Sequence, residues 1–577
     1  MMALQDVQQR IPWIMKPVEL FEVLVTPERW FCGRDTPLSR LTNALVPDTT
    51  WLGRILSRVC GLLSPVRSRL LSRSPRLLQL DWRLRQAFWT MVWTGIAGLQ
   101  RWPRKAVIPR EEKPISMLSA PESYPDFRAP TLVVPSDVPC GEKSLVTELA
   151  VQGIQLMQDI YPVVASHQPV ASHDPHERLR QTYTRLHRFI RRPPRWHPDL
   201  DDASRGRNLL GALAVGGPFA KLLERCPEGE GRYMIDLQHF ANYAVRPGLC
   251  HLGSKIHFVV DGGHLKVSGI DYEGKHIAPG EPTWEHAERI ALAGLMTHTT
   301  VWRQGMEYHV GGLAPIPIIV HNMPPAHPIR RLLAAHTAQT LLTNHSTHLT
   351  LRRSGWDVKA LSFPYDTILR YYDDGARGFD IRRLDVRADA ERRNIPSTLH
   401  YPYLTHALRY WNAIETYVRE YVTYYYPDAA SLAGDRVAHD WFNAVDRAVV
   451  HGIRGYVPSL TVEDLIRLGT VIIYSVSVAH TENSLWHYAP FIPTTVRQDG
   501  QGQLIGELQM TLDFQLLITS PTTLLLNDVS HLALDPGAAQ IMRRFHTSLM
   551  TLQREMEGMP DRYWRILPRE IEASVSG

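Results

Sequence analysis

Twenty-six histidines are spread along the 577-residue chain. Histidine is the commonest metal ligand, but most copies in any protein are surface or core residues, so type alone decides little. Two segments carry more information through spacing. The first runs from Trp284-Glu-His-Ala-Glu through Gln304 and His309 to His327-Pro-Ile-Arg-Arg-Leu-Leu333. The second is Val471-Ile-Ile-Tyr-Ser-Val-Ser-Val-Ala-His480-Thr-Glu-Asn483-Ser484, followed by Pro490-Phe-Ile-Pro493 and Arg497. His480 and Ser484 stand four apart and share one face of a helix. Gln304 and His309 stand five apart, about 140° around a regular α-helix, and converge only where a π-bulge widens the turn. The familiar alternatives are missing: there is no Gly-rich phosphate loop ending in Lys-Ser/Thr, no HExxH, no GxSxG and no GxGxxG between a strand and a helix.

The elements that must position these residues are mostly helical. Long amphipathic segments are predicted at Tyr403–Tyr426, Ala438–Val450 and Val462–Ser484. Lys255–Val260 and Leu265–Ile270 flank Asp261-Gly262-Gly263 and read as a hairpin. No fixed-period repeat is present, which sets a solenoid aside. Three regions are expected. Residues 1–105 form an Arg/Trp-rich helical extension, 106–145 a Pro-rich linker whose seven prolines from Pro109 to Pro139 forbid a continuous helix, and 146–577 the main domain.

Both histidine segments resemble the two iron-binding helices of lipoxygenases. In that family a Trp-x-x-Ala segment leads into a helix with two His spaced i, i+5, and a His-Pro-hydrophobic-basic-Leu-Leu element follows. Other pieces are similar in the same order. Asp201-Asp202 with Arg205-Gly-Arg-Asn-Leu-Leu-Gly211 looks like an early helix of the family. Tyr401-Pro-Tyr-Leu-Thr-His-Ala-Leu-Arg-Tyr-Trp411-Asn-Ala-Ile414 and Ile571-Glu-Ala-Ser-Val-Ser-Gly577 match later blocks. The resemblance runs from about residue 195 to the last residue. It implies a mainly α fold, a large lipoxygenase-like helical catalytic domain with small β-hairpin elements. The chain is too short to add a β-sandwich lipid-binding domain, and residues 1–105 do not read as strands.

The resemblance also implies a site. The family binds non-haem iron through two His on the first helix, a His and usually an Asn on the second, and the carboxylate of a terminal Ile. Gln304 stands at the first of these positions, His309 at the second, His480 at the third, Ser484 at the fourth and Gly577 at the terminus. Two imidazoles and a carboxylate are the donors of non-haem Fe(II) oxygenases with open positions. Iron is therefore the expected cofactor, with manganese or a metal-free site as alternatives. His309 and His480 are the expected catalytic pair. The implied reaction removes a hydrogen atom from a bis-allylic carbon of an unsaturated fatty-acyl or polyketide-like lipid and adds O2. A non-redox cyclase or isomerase on the same scaffold is a second reading, favoured by Gln304 and Ser484. A non-catalytic lipid-binding protein is a third. Between Asn344-His-Ser-Thr-His-Leu and Ser362-Phe-Pro-Tyr the chain is shorter than in typical members, which implies a more open pocket or one covered by the N-terminal Trp-rich helix.

Composition bounds the partners. A net charge of +5 spread over this length is not the concentrated field of a nucleic-acid binder. Five scattered cysteines without a CxxC pair point to a reducing compartment, and no apolar stretch follows a basic start, so a cytoplasmic monomer is expected. Residues 54–105 set aromatic residues such as Trp89 and Trp93 between arginines. That pattern suits either a helix packed on the main domain or peripheral membrane contact.

Overall fold

The computed structural model describes residues 113–119, 131–139, 208–347, 356–483, 492–499, 524–559 and 566–575, apart from Glu228 and Glu230, with single residues elsewhere. The expected extension at 1–105 lies almost wholly outside the described residues, as do Asp201 and Asp202.

Chain order begins with a two-stranded antiparallel sheet, β1 (Met117–Ser119) and β2 (Val133–Pro135), within the Pro-rich stretch. The stretch is tied to the main body: the backbone of Ile115 exchanges two hydrogen bonds with the Asn322 side chain, at 2.9 and 2.8 Å. Leu132 and Val134 are buried. Helix α1 (Leu209–Val215) then leads to a five-stranded antiparallel meander. Its strands are β3 (Glu224–Arg225), β4 (Arg232–Asp236), β5 (Ser254–Asp261), β6 (His264–Tyr272) and β7 (Lys275–Ile277). The expected hairpin is the β5–β6 pair. Gly262 and Gly263 both take positive φ, 57° and 82°, as a tight two-residue turn requires. Ile256, Phe258, Leu265, Val267 and Ile270 turn inward. Helix α2 (Trp284–His298) packs on β5 and β6.

Beyond α2 the body is helical. α2 runs without a break into a π-wound segment, Thr299–Val310, followed by α3 (Pro315–His321), α4 (Pro328–Thr337), α5 (Thr340–Ser346) and α6 (Tyr365–Arg377). The centre is α7 (Pro402–Tyr425), which buries Tyr403, Ala407, Tyr410, Ile414, Tyr417 and Tyr421 at three- and four-residue intervals. α8 (Arg436–Ala448) follows. α7 packs against α9 (Val462–Tyr474) and α11 (Pro536–Glu557), and α10 (His480–Asn483) lies between these two in sequence. The α7–α9 approach needs Gly469, where an added Cβ would sit 2.9 Å from Val418 Cγ1. Tyr417 stacks on Phe545 of α11 at 4.3 Å between ring centres. Thr461 and Asp535 cap α9 and α11 by accepting from Asp464 and Ala538 backbone N–H. Among the described residues no helix is long and apolar enough to cross a membrane.

Candidate metal centre

The i, i+5 spacing of Gln304 and His309 is accommodated by a full π segment, not a single bulge. Thr299–Val310 is π-wound over twelve residues. Hydrogen bonds from i to i+5 bring residues five apart onto one stripe, which places Gln304 and His309 together. Gly305 admits the Tyr372 hydroxyl against the helix, where an added Cβ would lie 2.1 Å from it.

A second π segment, Ser475–Ala479, joins α9 to α10 and delivers His480. Ser477 Oγ donates to the Ile473 carbonyl at 2.5 Å, a back-bond that competes with the regular helical pattern.

The two π segments bring three expected ligands together. Gln304 Nε2 lies 2.6 Å from His480 Nε2, and His480 Nε2 lies 3.1 Å from His309 Nε2. All three residues are buried. Ser484 and Gly577 fall outside the described residues. The last described residues are buried and bonded to α4 and to the residue after it. Ile571–Val575 is buried throughout, the His336 Nδ1–H donates to the Ala573 carbonyl at 2.9 Å, and Ser574 Oγ donates to the Ala338 carbonyl at 2.5 Å.

Two partners were not singled out in the sequence. Glu572 accepts from His480 Nδ1 at 2.5 Å and from Thr481 Oγ1 at 3.2 Å. Asn344 Oδ1 accepts from His309 Nδ1 at 3.2 Å. With both Nδ1 atoms donating, each ring presents its Nε2 lone pair to the other. Burial first, then the neighbouring His480 ring, holds the His309 imidazolium down to about 3, so His309 is neutral. Lone pairs facing each other at 3.1 Å are poorly matched alone and well matched to a shared cation. Two nitrogens each about 2.1 Å from one ion, at angles of roughly 90–110°, lie about 3.0–3.4 Å apart. Gln304 Oε1 is buried without a hydrogen-bond partner among the described residues, so turning the amide would offer an oxygen to the same ion. The residues present therefore fit a divalent metal ion. Glu572 and Asn344 are the kind of outer hydrogen-bond partners that fix the orientation of metal-binding imidazoles.

Behind this face lies a buried charged group. Arg303 and Glu307 pair at 3.3 Å, and Tyr308 OH accepts from Asn483 Nδ2 at 3.2 Å. Burial lowers the pKa of the Lys221 ammonium and raises that of the Glu482 carboxyl. Arg303, Glu307 and Tyr308 share the first π segment, whereas Lys221, Glu482 and Asn483 come from distant elements, so the group as a whole leaves no mark in local sequence.

The fold and site define a mainly α-helical domain in which two π-wound segments bring two imidazoles together edge to face through their Nε2 atoms. The Lipoxygenase family profile matches residues 315–533, a span that includes His480 but neither Gln304, His309 nor Glu572. Among curated proteins, the mouse arachidonate 12-lipoxygenase, 12R-type, is 27% identical over 179 residues, 30% of this chain and 26% of that protein. The human hydroperoxide isomerase ALOXE3 is 28% identical over 188 residues, 31% of this chain and 26% of that protein. A barley linoleate 9S-lipoxygenase 1 is 22% identical over 378 residues, covering 57% and 42%. The chain thus matches between about a quarter and under a half of the length of these relatives. Among solved structures, a calcium-dependent 11R-lipoxygenase superposes with a TM-score of 0.66 at 16% identity, covering 80% of this chain and 78% of its own. Coral 8R-lipoxygenase gives 0.66 at 14% identity, covering 80% and 79%. Residues 315–533 thus match the lipoxygenase family, and the fold is mainly α-helical and lipoxygenase-like.

Proposed function

We propose that this protein is a non-haem iron oxidoreductase of lipoxygenase type acting on an unsaturated fatty-acyl or similar lipid with O2. The observation that carries the reading is the meeting of His309 and His480 through their Nε2 atoms, 3.1 Å apart, while both Nδ1 atoms are committed elsewhere. His309 and His480 would hold the metal, with Gln304 as a weak oxygen donor and Ser484 and the Gly577 carboxylate completing the set. Iron held there would supply the one-electron redox couple needed to oxygenate a bis-allylic carbon with O2. Glu572 keeps the His480 proton on Nδ1, and Asn344 does the same for His309. The buried surroundings exclude bulk water, which protects a carbon radical from side reactions.

A second reading is isomerisation of a lipid hydroperoxide. It is favoured by the relatives named hydroperoxide isomerase and by an amide at 304. The test begins with metal content of the chain with an unmodified C-terminus, beside His309→Ala and His480→Ala. Near-stoichiometric iron lost in both variants supports the centre. Oxygen uptake with a polyunsaturated fatty acid then supports dioxygenation, whereas conversion of a fatty-acid hydroperoxide without oxygen uptake supports isomerisation. A metal-free protein that stays so after reconstitution overturns both.

A further inference from the structure

The outward face of the five-stranded sheet carries a cluster that the helical centre does not use. His257 on β5, Asp271 on β6 and His276 on β7 place one ligating atom each within 4.8 Å of one another. His257 Nε2 donates to Asp271 Oδ2 at 2.6 Å, and His276 Nδ1 donates to Asp271 Oδ1 at 2.7 Å. One carboxylate thus collects two imidazoles, one per oxygen.

Strand register builds this arrangement. Asp271 is directly opposite His276 in the β6–β7 pair, while His257 is opposite Gly269 in the β5–β6 pair. The His276 ring lies across Gly269, where an added Cβ would be 2.3 Å from its Cε1 and Nε2. The missing side chain at 269 is what lets the two imidazoles approach, to 5.6 Å between ring centres. Lys255 sits opposite Asp271, but its ammonium is drawn to Asp236 at 3.8 Å on the other side.

We propose that His257, Asp271 and His276 form a second divalent-metal site, selective for zinc-like ions and separate from the helical centre. Two imidazoles and one carboxylate, with open positions for water, suit zinc and its first-row neighbours and not magnesium or calcium. A bound ion replaces the two imidazole protons and ties the three-residue edge strand β7 to β5 and β6. The site shares no residue with Gln304, His309 or His480, so it stands whether or not the proposed function does.

The test is zinc titration of the chelator-stripped full chain carrying His480→Ala, read by calorimetry and by thermal shift. Retained uptake of zinc with a rise in melting temperature is expected. Adding His257→Gln or His276→Gln should weaken that uptake beyond the roughly 10–100-fold typical of losing an outer hydrogen-bond partner. Adding Gly269→Ala, which displaces the His276 ring while keeping every ligand, should weaken it as well. Circular dichroism checks that each variant is folded. No zinc uptake in His480→Ala, or equal uptake after His257→Gln and His276→Gln, overturns the proposal.

Discussion

Glu572 and His480, 92 residues apart in sequence, share a fully buried hydrogen bond of 2.5 Å. The carboxylate accepts, so the imidazole must present its other nitrogen to Gln304 and His309. The same glutamate is braced by Thr481, whose hydroxyl both donates to its carboxylate and accepts from its backbone N–H, each at 3.2 Å. Replacing Glu572 with Gln is expected to lower metal affinity by about 10–100-fold with little loss of fold, since an amide can still accept but no longer stabilises the ring as strongly. Equilibrium dialysis against iron checks this. Unchanged affinity would remove Glu572 from the centre.

Gln304 occupies the place where a stronger donor would face the same ion. Gln304→His should raise metal affinity and retention through chelation, because imidazole binds divalent first-row metals better than a neutral amide oxygen. The measurement is iron remaining after gel filtration with a weak chelator. Lower retention than the parent would show that Gln304 is not directed at the metal.

Gly305 is held against Tyr372, with the place of a Cβ 2.1 Å from the hydroxyl and 2.6 Å from Cε1. Gly305→Ala must push Tyr372 or the π segment aside, at a cost of about 1–3 kcal/mol. Urea denaturation should show the lower midpoint, and Tyr372→Phe in the same chain should recover part of it. A midpoint equal to that of the parent would contradict the close approach.

Asp357 is buried and accepts from Tyr372 OH at 3.0 Å. Burial pushes its carboxyl up to about 7, against an ordinary value of 3.8, with the Tyr372 bond opposing the rise. Below the ordinary value both folded and unfolded chains hold the proton and no penalty arises. As pH rises to about 7, only the unfolded chain releases it, so stability falls by up to roughly 4 kcal/mol across that window. Asp357→Asn keeps an acceptor for Tyr372 and removes the titration. The expected result is a variant that loses less stability than the parent between pH 5 and pH 8, read from urea midpoints. Parallel losses would mean that Asp357 is ionised in the folded chain.

Local pattern determined much of this protein. The alternation around Gly262-Gly263 specified the hairpin, and the three- and four-residue rhythm of apolar residues specified α7 and α8 to within about two residues at their ends, while the expected helix over Val462–Ser484 is divided into α9, the second π segment and α10. Those signals are legible because period-2 and period-3.6 burial are written in neighbouring residues. The order of His309, His327 and His480 carried the resemblance to the family for the same reason. Tertiary structure decided the rest. The twelve-residue extent of the first π segment, packed against Tyr372 at Gly305, and the presence of the second, which carries the Ser477 back-bond, are not written in the local sequence. Glu572 and Asn344 became partners of the imidazoles only when the C-terminal segment and α5 closed on them, and the His257–Asp271–His276 cluster only when three strands took their register. Hydrogen bonds between distant elements leave no periodicity behind, because neither partner's neighbours in sequence need share its environment.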